Sequence, residues 1–152
     1  EGTYPLPEAQ LDRFLLQVDV GYPDHAAERQ MLLVTTSNDD PAPQAVMTPQ
    51  ELIAAQKLVR RLPVGDTLVE GILNLVRSGR PEETALSSVK NHIAWGPGPR
   101  ASQALMLGAR ARALLDGRLA PSLDDVLALA GPVLRHRMAT SFAARAEGIS
   151  ID

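Results

Sequence analysis

The stretch AWGPGPRASQALMLGARARALL, from Ala94 to Leu115, decides the fold because it joins a stiff turn to a long helical segment. Pro99 is typical of a first helical position, and Gly117 is typical of a residue just past a helix end. The sequence therefore predicts a helix from Pro99 to about Leu115. One face of that helix carries mostly small side chains: Ala101, Ala104, Leu105, Gly108, Ala111 and Leu115. We expect this helix to pack very close to its neighbours.

Arg100 follows directly after the two glycines and two prolines of this turn. A helix N-terminus carries partial positive charge from its unpaired N–H groups, so an arginine there opposes helix stability. Phosphate groups bind at such helix ends, and a rigid corner would aim the guanidinium at one. A solvent-exposed arginine at an ordinary helix start explains the residue equally well. The residues alone leave both interpretations open.

Capping residues mark other helix starts along the chain. Side-chain oxygens of Ser, Thr and Asp accept hydrogen bonds from the free N–H groups of a first helical turn. The predicted caps are Asp24, Thr48 paired with Glu51, and Ser122 paired with Asp125. Gly131 and Pro132 interrupt the last of these helical patterns, so we expect a kink or a restart there. The sequence thus predicts a mainly α protein, a bundle of helices.

One short stretch near the start has a different period. Leu16, Val18 and Val20 alternate with polar residues, which indicates a β-strand. The pattern offers no second strand as a partner, and a strand is not stable alone. We therefore expect an orphan strand ahead of the bundle, paired with another molecule or with a sheet outside this chain.

The composition excludes several classes of function. Without cysteine the chain has no disulfide, no thiolate metal site and no cysteine nucleophile. A formal net charge of −3 at pH 7 gives no strong field for nucleic acid or a membrane surface. His25, His92 and His136 lie far apart without metal-binding spacing, so no metal site is expected. We see neither a signal-peptide pattern nor an apolar run long enough to span a bilayer, and we expect a cytoplasmic protein.

Arg13 closes the segment LPEAQLDRF, just before the predicted strand. Glu8 and Asp12 are close enough in sequence to pair with it. Taken alone, this arginine is explained by such an ion pair.

Three segments taken together closely resemble the MoxR family of AAA+ ATPases. They are EGTYPLPEAQLDRFLLQVDVGYP at 1–23, WGPGPRASQALMLGARARALLDGR at 95–118 and DDVLALAGPVLRHRM at 124–138. The resemblance covers almost the whole chain, and it gives both arginines a role. Arg13 resembles the catalytic arginine finger that reaches the ATP held by a neighbouring subunit. Arg100 resembles the nucleotide-binding sensor 2 arginine of the helical lid, acting on its own subunit's nucleotide or on a neighbour's.

The resemblance also implies cofactors and partners for the parent protein. ATP and Mg2+ are the expected cofactors, and none is expected to bind this segment alone. A homo-oligomeric ring, such as a hexamer, is the expected assembly, with a chaperone-like activity on client complexes that include von Willebrand-type domains.

The chain departs from the family in lacking its main nucleotide-binding motifs. It contains no GxxxxGK[ST] phosphate loop and no apolar strand ending in an acidic pair. We therefore interpret it as the C-terminal part of a larger ATPase. Residues 1–23 would be the remnant of the α/β core and residues 24–152 the helical lid. On this interpretation the segment alone neither binds ATP well nor hydrolyses it.

Two other classes of function are compatible with the residues. The main alternative is a non-enzymatic helical protein-interaction module, for which a hydrophobic surface patch would control partner binding. A nucleic-acid-binding helical domain ranks last, because the arginines form no stripe and the chain is acidic.

Overall fold

Helices make up most of residues 6–37 and 42–151, the part of the chain that the computed structural model describes. The α-helices are α1 (Glu8–Leu11), α2 (His25–Thr35), α3 (Pro49–Arg61), α4 (Asp66–Ser78), α5 (Ser87–His92), α6 (Pro99–Leu115), α7 (Leu123–Leu134) and α8 (Phe142–Ala146). A 3-10 helix, Arg135–Arg137, extends α7. The predicted mainly α fold is confirmed. Residues 1–5 of the predicted core remnant, and residues 38–41 and 152 of the predicted lid, lie outside the described residues.

The hydrophobic core lies where α4, α6 and α7 pack against one another. Within each helix the buried apolar residues lie three, four or seven positions apart along one row or are neighbours of that row, which places them on one face. The buried residues are Leu68, Ile72, Val76, Ala101, Ala104, Leu105, Ala109, Val126 and Val133. The aliphatic core follows from the composition, since aromatic residues are only 3% of the chain.

The small-residue face of α6 is buried, but in a different register from the one expected. Its buried positions include Ala101, Leu105, Ala109 and Ala113, four residues apart, whereas Leu115 is 88% exposed. A row of i, i+4 positions forms the ridge that fits the groove of a crossing helix, and α6 uses this row against its neighbours. The expected close packing occurs near Gly108, where an added Cβ would lie 2.8 Å from Leu129 Cδ1.

All three predicted helix caps are present. Asp24 Oδ1 accepts a hydrogen bond from the Ala27 N–H at 2.8 Å. Thr48 and Glu51 bond each other reciprocally, and the Ser122 and Asp125 pair does the same. The restart expected at Pro132 does not occur, because α7 continues to Leu134 with the proline inside it.

The predicted orphan strand over Leu16–Val20 has no strand partner among the described residues. Its backbone bonds a helix instead, with the Gln17 N–H donating to the Pro132 carbonyl at 2.8 Å. The sheet of the described chain is a short antiparallel pair elsewhere, β1 (Ile93–Trp95) with β2 (Ala139–Thr140). These two strands escaped the sequence analysis because segments of two or three residues carry no periodic signal.

The Gly-Pro-Gly-Pro corner is docked tightly on the end of α4. A Cβ added at Gly96 would lie 2.5 Å from the Gly79 carbonyl oxygen and 2.8 Å from Arg80 Cα. The Arg80 Nε–H donates to the Pro97 carbonyl at 2.9 Å. This close backbone contact, and not a special torsion angle, is what requires glycine at position 96. It fixes the point from which α6 begins.

Replacing Gly96 with alanine is expected to destabilise the chain by about 2–3 kcal/mol, because two backbone segments must move apart. Gly98→Ala is the matched control. It adds the same methyl group where nothing lies within 4 Å, at a φ of −82° that any residue adopts. We expect the control to stay within about 1 kcal/mol of the wild type. Urea unfolding measures the free energy of unfolding of both variants. Equal losses of that free energy would contradict the close backbone contact as the reason for glycine at position 96.

Candidate functional site

The two arginines singled out in the sequence line the same cavity. This open depression has a volume of about 220 Å³ and lies where the turn after α1 meets the first turns of α6. Its polar lining residues are Asp12, Arg13, Arg100, Gln103 and Arg137. Residues from the beginning and from the last third of the chain therefore form one site.

Arg13 is exposed at this cavity, immediately after α1 ends. Its backbone N–H donates to the Gln10 carbonyl at 3.1 Å, which closes the turn. Within residues 6–37 and 42–151 its side chain has no hydrogen bond or ion pair. The pairing with Glu8 or Asp12 that would have explained this arginine is therefore not found there. Its guanidinium is free to bind a group from outside.

Arg100 lies in the first turn of α6, where the sequence placed it. Its Nη1 is 3.3 Å from Asp12 Oδ2, and its side chain is 50% exposed. Ion pairs this exposed contribute little to stability, because water screens the charges. The Asp12 carboxylate thus orients Arg100 toward the cavity without withdrawing it from solvent.

Arg137 is the third arginine of the site, and it is almost fully buried. Its Nε donates to Asp12 Oδ1 at 3.1 Å, and Nη1 donates to the Val133 carbonyl at 2.6 Å. Further bonds reach the carbonyls of Asp12, Phe14 and Leu15. Burial lowers the pKa of this guanidinium, and the Asp12 carboxylate opposes that effect. The bonds tie the turn that carries Arg13 to the end of α7.

The two residues before Arg137 hold the same turn and the segment that follows it. Arg135 Nη1 lies 2.7 Å from Asp19 Oδ2, and His136 Nε2 lies 3.3 Å from the Phe14 carbonyl oxygen. Burial, with the nearby positive charge of Arg137, lowers the pKa of His136, which favours the neutral ring at pH 7. Residues 135–137 together thus anchor residues 12–19.

The arrangement suits an anion with several oxygen atoms. Three arginines and one aspartate line the cavity, and planar guanidinium groups bind phosphate or carboxylate oxygens in a bidentate manner. Among the described residues no three His, Asp or Glu side chains are grouped to hold a metal ion. A larger depression between α3 and α6 has Arg60 as the one charged residue of its described lining, so it offers less for recognition.

Sequence reasoning found Arg13 and Arg100 but missed Arg137. Arg100 was noticed because an arginine is unusual at a helix start, whereas Arg13 gained a role only from the family resemblance. Arg137 follows a helix among other cations, and no local pattern shows that its side chain is buried. The one available signal was the resemblance of its segment, 124–138, to a known family.

Comparison with known proteins identifies the lid and the relatives of the whole chain. The family described as AAA lid domain matches residues 86–152. Chaperone MoxR1 of Mycobacterium tuberculosis is 36% identical over 151 residues, which are 99% of this chain and 40% of that protein. YeaC of Bacillus subtilis, a protein of uncharacterized function, is 37% identical over 153 residues, 100% of this chain and 45% of its own length.

A solved structure has the same fold. It is a protein of Cytophaga hutchinsonii provisionally named an ATPase, with a TM-score of 0.91 and 32% sequence identity. The match covers 99% of this chain and 46% of that structure. The chain therefore spans less than half the length of each of these relatives. No helix among the described residues is long and apolar enough to cross a membrane.

Proposed function

The chain belongs to the MoxR family of AAA+ ATPases, and on that premise we propose that it supplies two arginines to a nucleotide held by a neighbouring subunit. The observation that carries this proposal is the single cavity lined by Arg13 and Arg100. Both side chains are accessible there, and the site has more positive than negative groups. A phosphate chain entering this cavity would meet both guanidinium groups.

We assign residues 1–23 to the end of the α/β core and residues 24–152 to the helical lid. The greater length of the relatives leaves room for a phosphate-binding loop and its Mg2+ ligands outside this chain. On this division the segment alone does not hydrolyse ATP, because it lacks the groups that would hold the phosphates. The parent protein would be the ATPase.

Arg13 takes the role of the arginine finger in this proposal. Phosphoryl transfer spreads negative charge over the oxygens of the transferred group, and a guanidinium fork stabilises that charge. A side chain without an ion pair to residues 6–37 and 42–151, on a firmly held turn, is suited to this because no such pair has to break first. Bound Mg2+-ATP would supply the phosphoryl group, and the side chains of this chain would contribute orientation and charge.

Arg100 is proposed to act on the same nucleotide as Arg13. A finger arginine serves a neighbouring subunit, and Arg100 is held beside it by the carboxylate of Asp12. Both arginines would therefore act in trans, as sensor and finger at one interface. Between turnovers Asp12 would keep Arg100 directed at the cavity by the exposed ion pair described above.

The assembly and partners belong to the same proposal. A site completed by a neighbouring subunit requires a head-to-tail ring, and a hexamer is the form that we propose. The chaperone description of MoxR1 suggests that the parent acts on client complexes, with von Willebrand-type domains among the candidate partners. We propose a cytoplasmic location, with ATP and Mg2+ as cofactors.

Mixed rings test whether Arg100 acts in trans. Arg100→Ala subunits keep their own phosphate loop, and a second variant with the phosphate-loop lysine replaced keeps its arginines. A random equal mixture should regain about a quarter of wild-type turnover, because that share of interfaces joins an intact loop to an intact Arg100. If Arg100 acts on its own subunit's nucleotide, mixing restores nothing beyond the sum of the two variants.

A non-enzymatic interaction module is the second candidate, and one observation favours it. Helix α2 buries none of its residues, and Met31, Leu32, Leu33 and Val34 are all 45–59% exposed. Apolar patches of this kind mark surfaces that other proteins cover. This candidate differs from the first in predicting that Arg13 and Arg100 do not affect ATP turnover.

A further inference from the structure

We propose that Arg137 is a positioning residue that holds Arg13 and Arg100 as one unit, an assignment that rests on the proposed function. Arg137 lines the same cavity as both arginines and is itself almost inaccessible. It would act on the reaction through its hydrogen bonds and not by touching the nucleotide.

The bonds of Arg137 lie on both sides of Arg13. Nη2 donates to the Asp12 carbonyl at 3.1 Å and also to the Phe14 carbonyl, so the residues before and after Arg13 are both held. Nη1 donates to the Leu15 carbonyl at 3.3 Å. The backbone of the turn is thereby fixed, and the freedom of Arg13 is confined to its side chain.

The Asp12 carboxylate extends this control to Arg100. Its Oδ1 accepts from Arg137 Nε at 3.1 Å, and its Oδ2 faces Arg100 Nη1 at 3.3 Å. One carboxylate therefore sets the distance between the buried arginine and the exposed one. The fifth contact, to the Val133 carbonyl, joins the whole group to α7, which packs on the helix that carries Arg100.

Only arginine can make this set of bonds. Its planar guanidinium carries five N–H donors in a fixed fork, whereas a lysine ammonium has three donors around one atom. The acceptors here are distributed over residues 12–15 and Val133, and a single nitrogen atom cannot reach all of them. Arg137→Lys keeps the positive charge but removes the planar fork of donors. It therefore separates the effect of charge from the effect of hydrogen-bond geometry.

This connection has a consequence for the ATPase cycle. Because the turn of Arg13 is tied to α7, the finger and Arg100 belong to one rigid body with the α6–α7 core. A rotation of that body would bring both arginines to the neighbouring nucleotide, or withdraw both, in a single movement.

Steady-state turnover and nucleotide affinity of the full-length ATPase test the assignment. Arg137→Lys should lower kcat by about 10²-fold, since displacing a catalytic group by an ångström has an effect of that size. Affinity for ATP at the variant's own phosphate loop should stay within about threefold, because that loop is not altered. Arg145→Lys is the control, because Arg145 is exposed on α8 and does not line the cavity, and we expect wild-type turnover from it.

A double-mutant cycle separates positioning from a general structural role. If Arg137 acts through Arg13, adding Arg137→Lys to Arg13→Ala should lower kcat by less than about threefold more. A further loss close to the full 10²-fold would overturn the assignment. So would wild-type turnover in Arg137→Lys alone. If Arg13→Ala itself leaves turnover unchanged, the proposed function fails instead.

Asp12→Asn addresses the same assignment if Arg137→Lys does not fold. It keeps an oxygen acceptor at a partly exposed position but removes the charge that holds Arg100. We expect kcat to fall about tenfold, and the thermal midpoint to fall as well because the buried Arg137 loses its counterion. Mixing Asp12→Asn subunits with phosphate-loop variants in one ring should restore turnover, as the same mixing should for Arg13→Ala subunits. Failure to regain it, while Arg13→Ala succeeds, would contradict the positioning role.

Discussion

Replacing Arg13 with alanine is expected to lower ATP turnover of the full-length ATPase by roughly 10³-fold or more, with nucleotide affinity changed by less than about threefold. The effect is large because the interaction is strongest in the transition state. A finger arginine binds the charge that develops on the transferred phosphoryl group, so it stabilises the transition state much more than bound ATP. Its side chain is exposed and has no hydrogen bond or ion pair with the described residues, so no contact shown there would be lost on truncation.

Steady-state hydrolysis and equilibrium binding of a non-hydrolysable nucleotide, measured on the same preparation, check this prediction. Arg145→Ala is the matched control, because it removes another exposed arginine from a helix that does not line the cavity. A thermal midpoint equal to that of the wild type shows that the fold is retained. Unchanged turnover in Arg13→Ala would reject the finger role and favour the interaction module. A loss of nucleotide affinity equal to the loss of turnover would indicate ground-state binding instead.

Asp125→Asn is expected to have the largest effect on stability, a loss of about 3 kcal/mol. The carboxylate is 2% exposed and accepts a bidentate pair of bonds from Arg118, at 2.6 and 2.8 Å. It also accepts from the Ser122 N–H at 2.8 Å, which caps α7, and lies 3.3 Å from Arg112 Nε. An amide keeps the cap but leaves Arg112 without this counterion and Arg118 with Asp116 alone as its carboxylate partner.

The effect of this substitution should depend on pH in a defined direction. The bonds from Arg118 hold the pKa of the Asp125 carboxyl well below its usual range. A group with a lowered folded pKa stabilises the protein above its unfolded pKa of about 3.9, and this contribution is lost as the pH falls toward the folded value. The difference between the wild type and Asp125→Asn should therefore be constant from about pH 5 to pH 7 and should narrow below about pH 4.

Urea unfolding across this pH range measures both the loss of unfolding free energy in Asp125→Asn and the pH dependence of that loss. Asp124→Asn is the control, since it removes the same charge from the same first turn of α7 at an exposed position. Its only expected cost is the interaction with the helix dipole, below about 1 kcal/mol. Equal losses at positions 124 and 125 would show that charge in the first turn, and not the buried network, is what matters.

Helix starts were predictable from the sequence because a cap is a local interaction. Thr48 and Glu51 are three residues apart, so their reciprocal bonds follow from their identities and spacing alone. The same holds for Asp24 and for the Ser122–Asp125 pair. The mainly helical fold, and the beginning of α6 at Pro99, follow from such local rules. The roles of Arg13 and Arg100 came from resemblance to a family and stay predictions.

The site itself depends on contacts between distant segments, and local rules do not describe these. Whether Arg137 is buried depends on which carbonyl groups arrive beside it, and these belong to residues 12–15, more than a hundred positions earlier. The same encounter gives the Gln17 N–H a helix carbonyl as its partner, a contact that the alternating pattern over Leu16–Val20 does not indicate. A hydrogen bond forms where donor and acceptor meet in space, and only the folded chain brings the two segments of this cavity together.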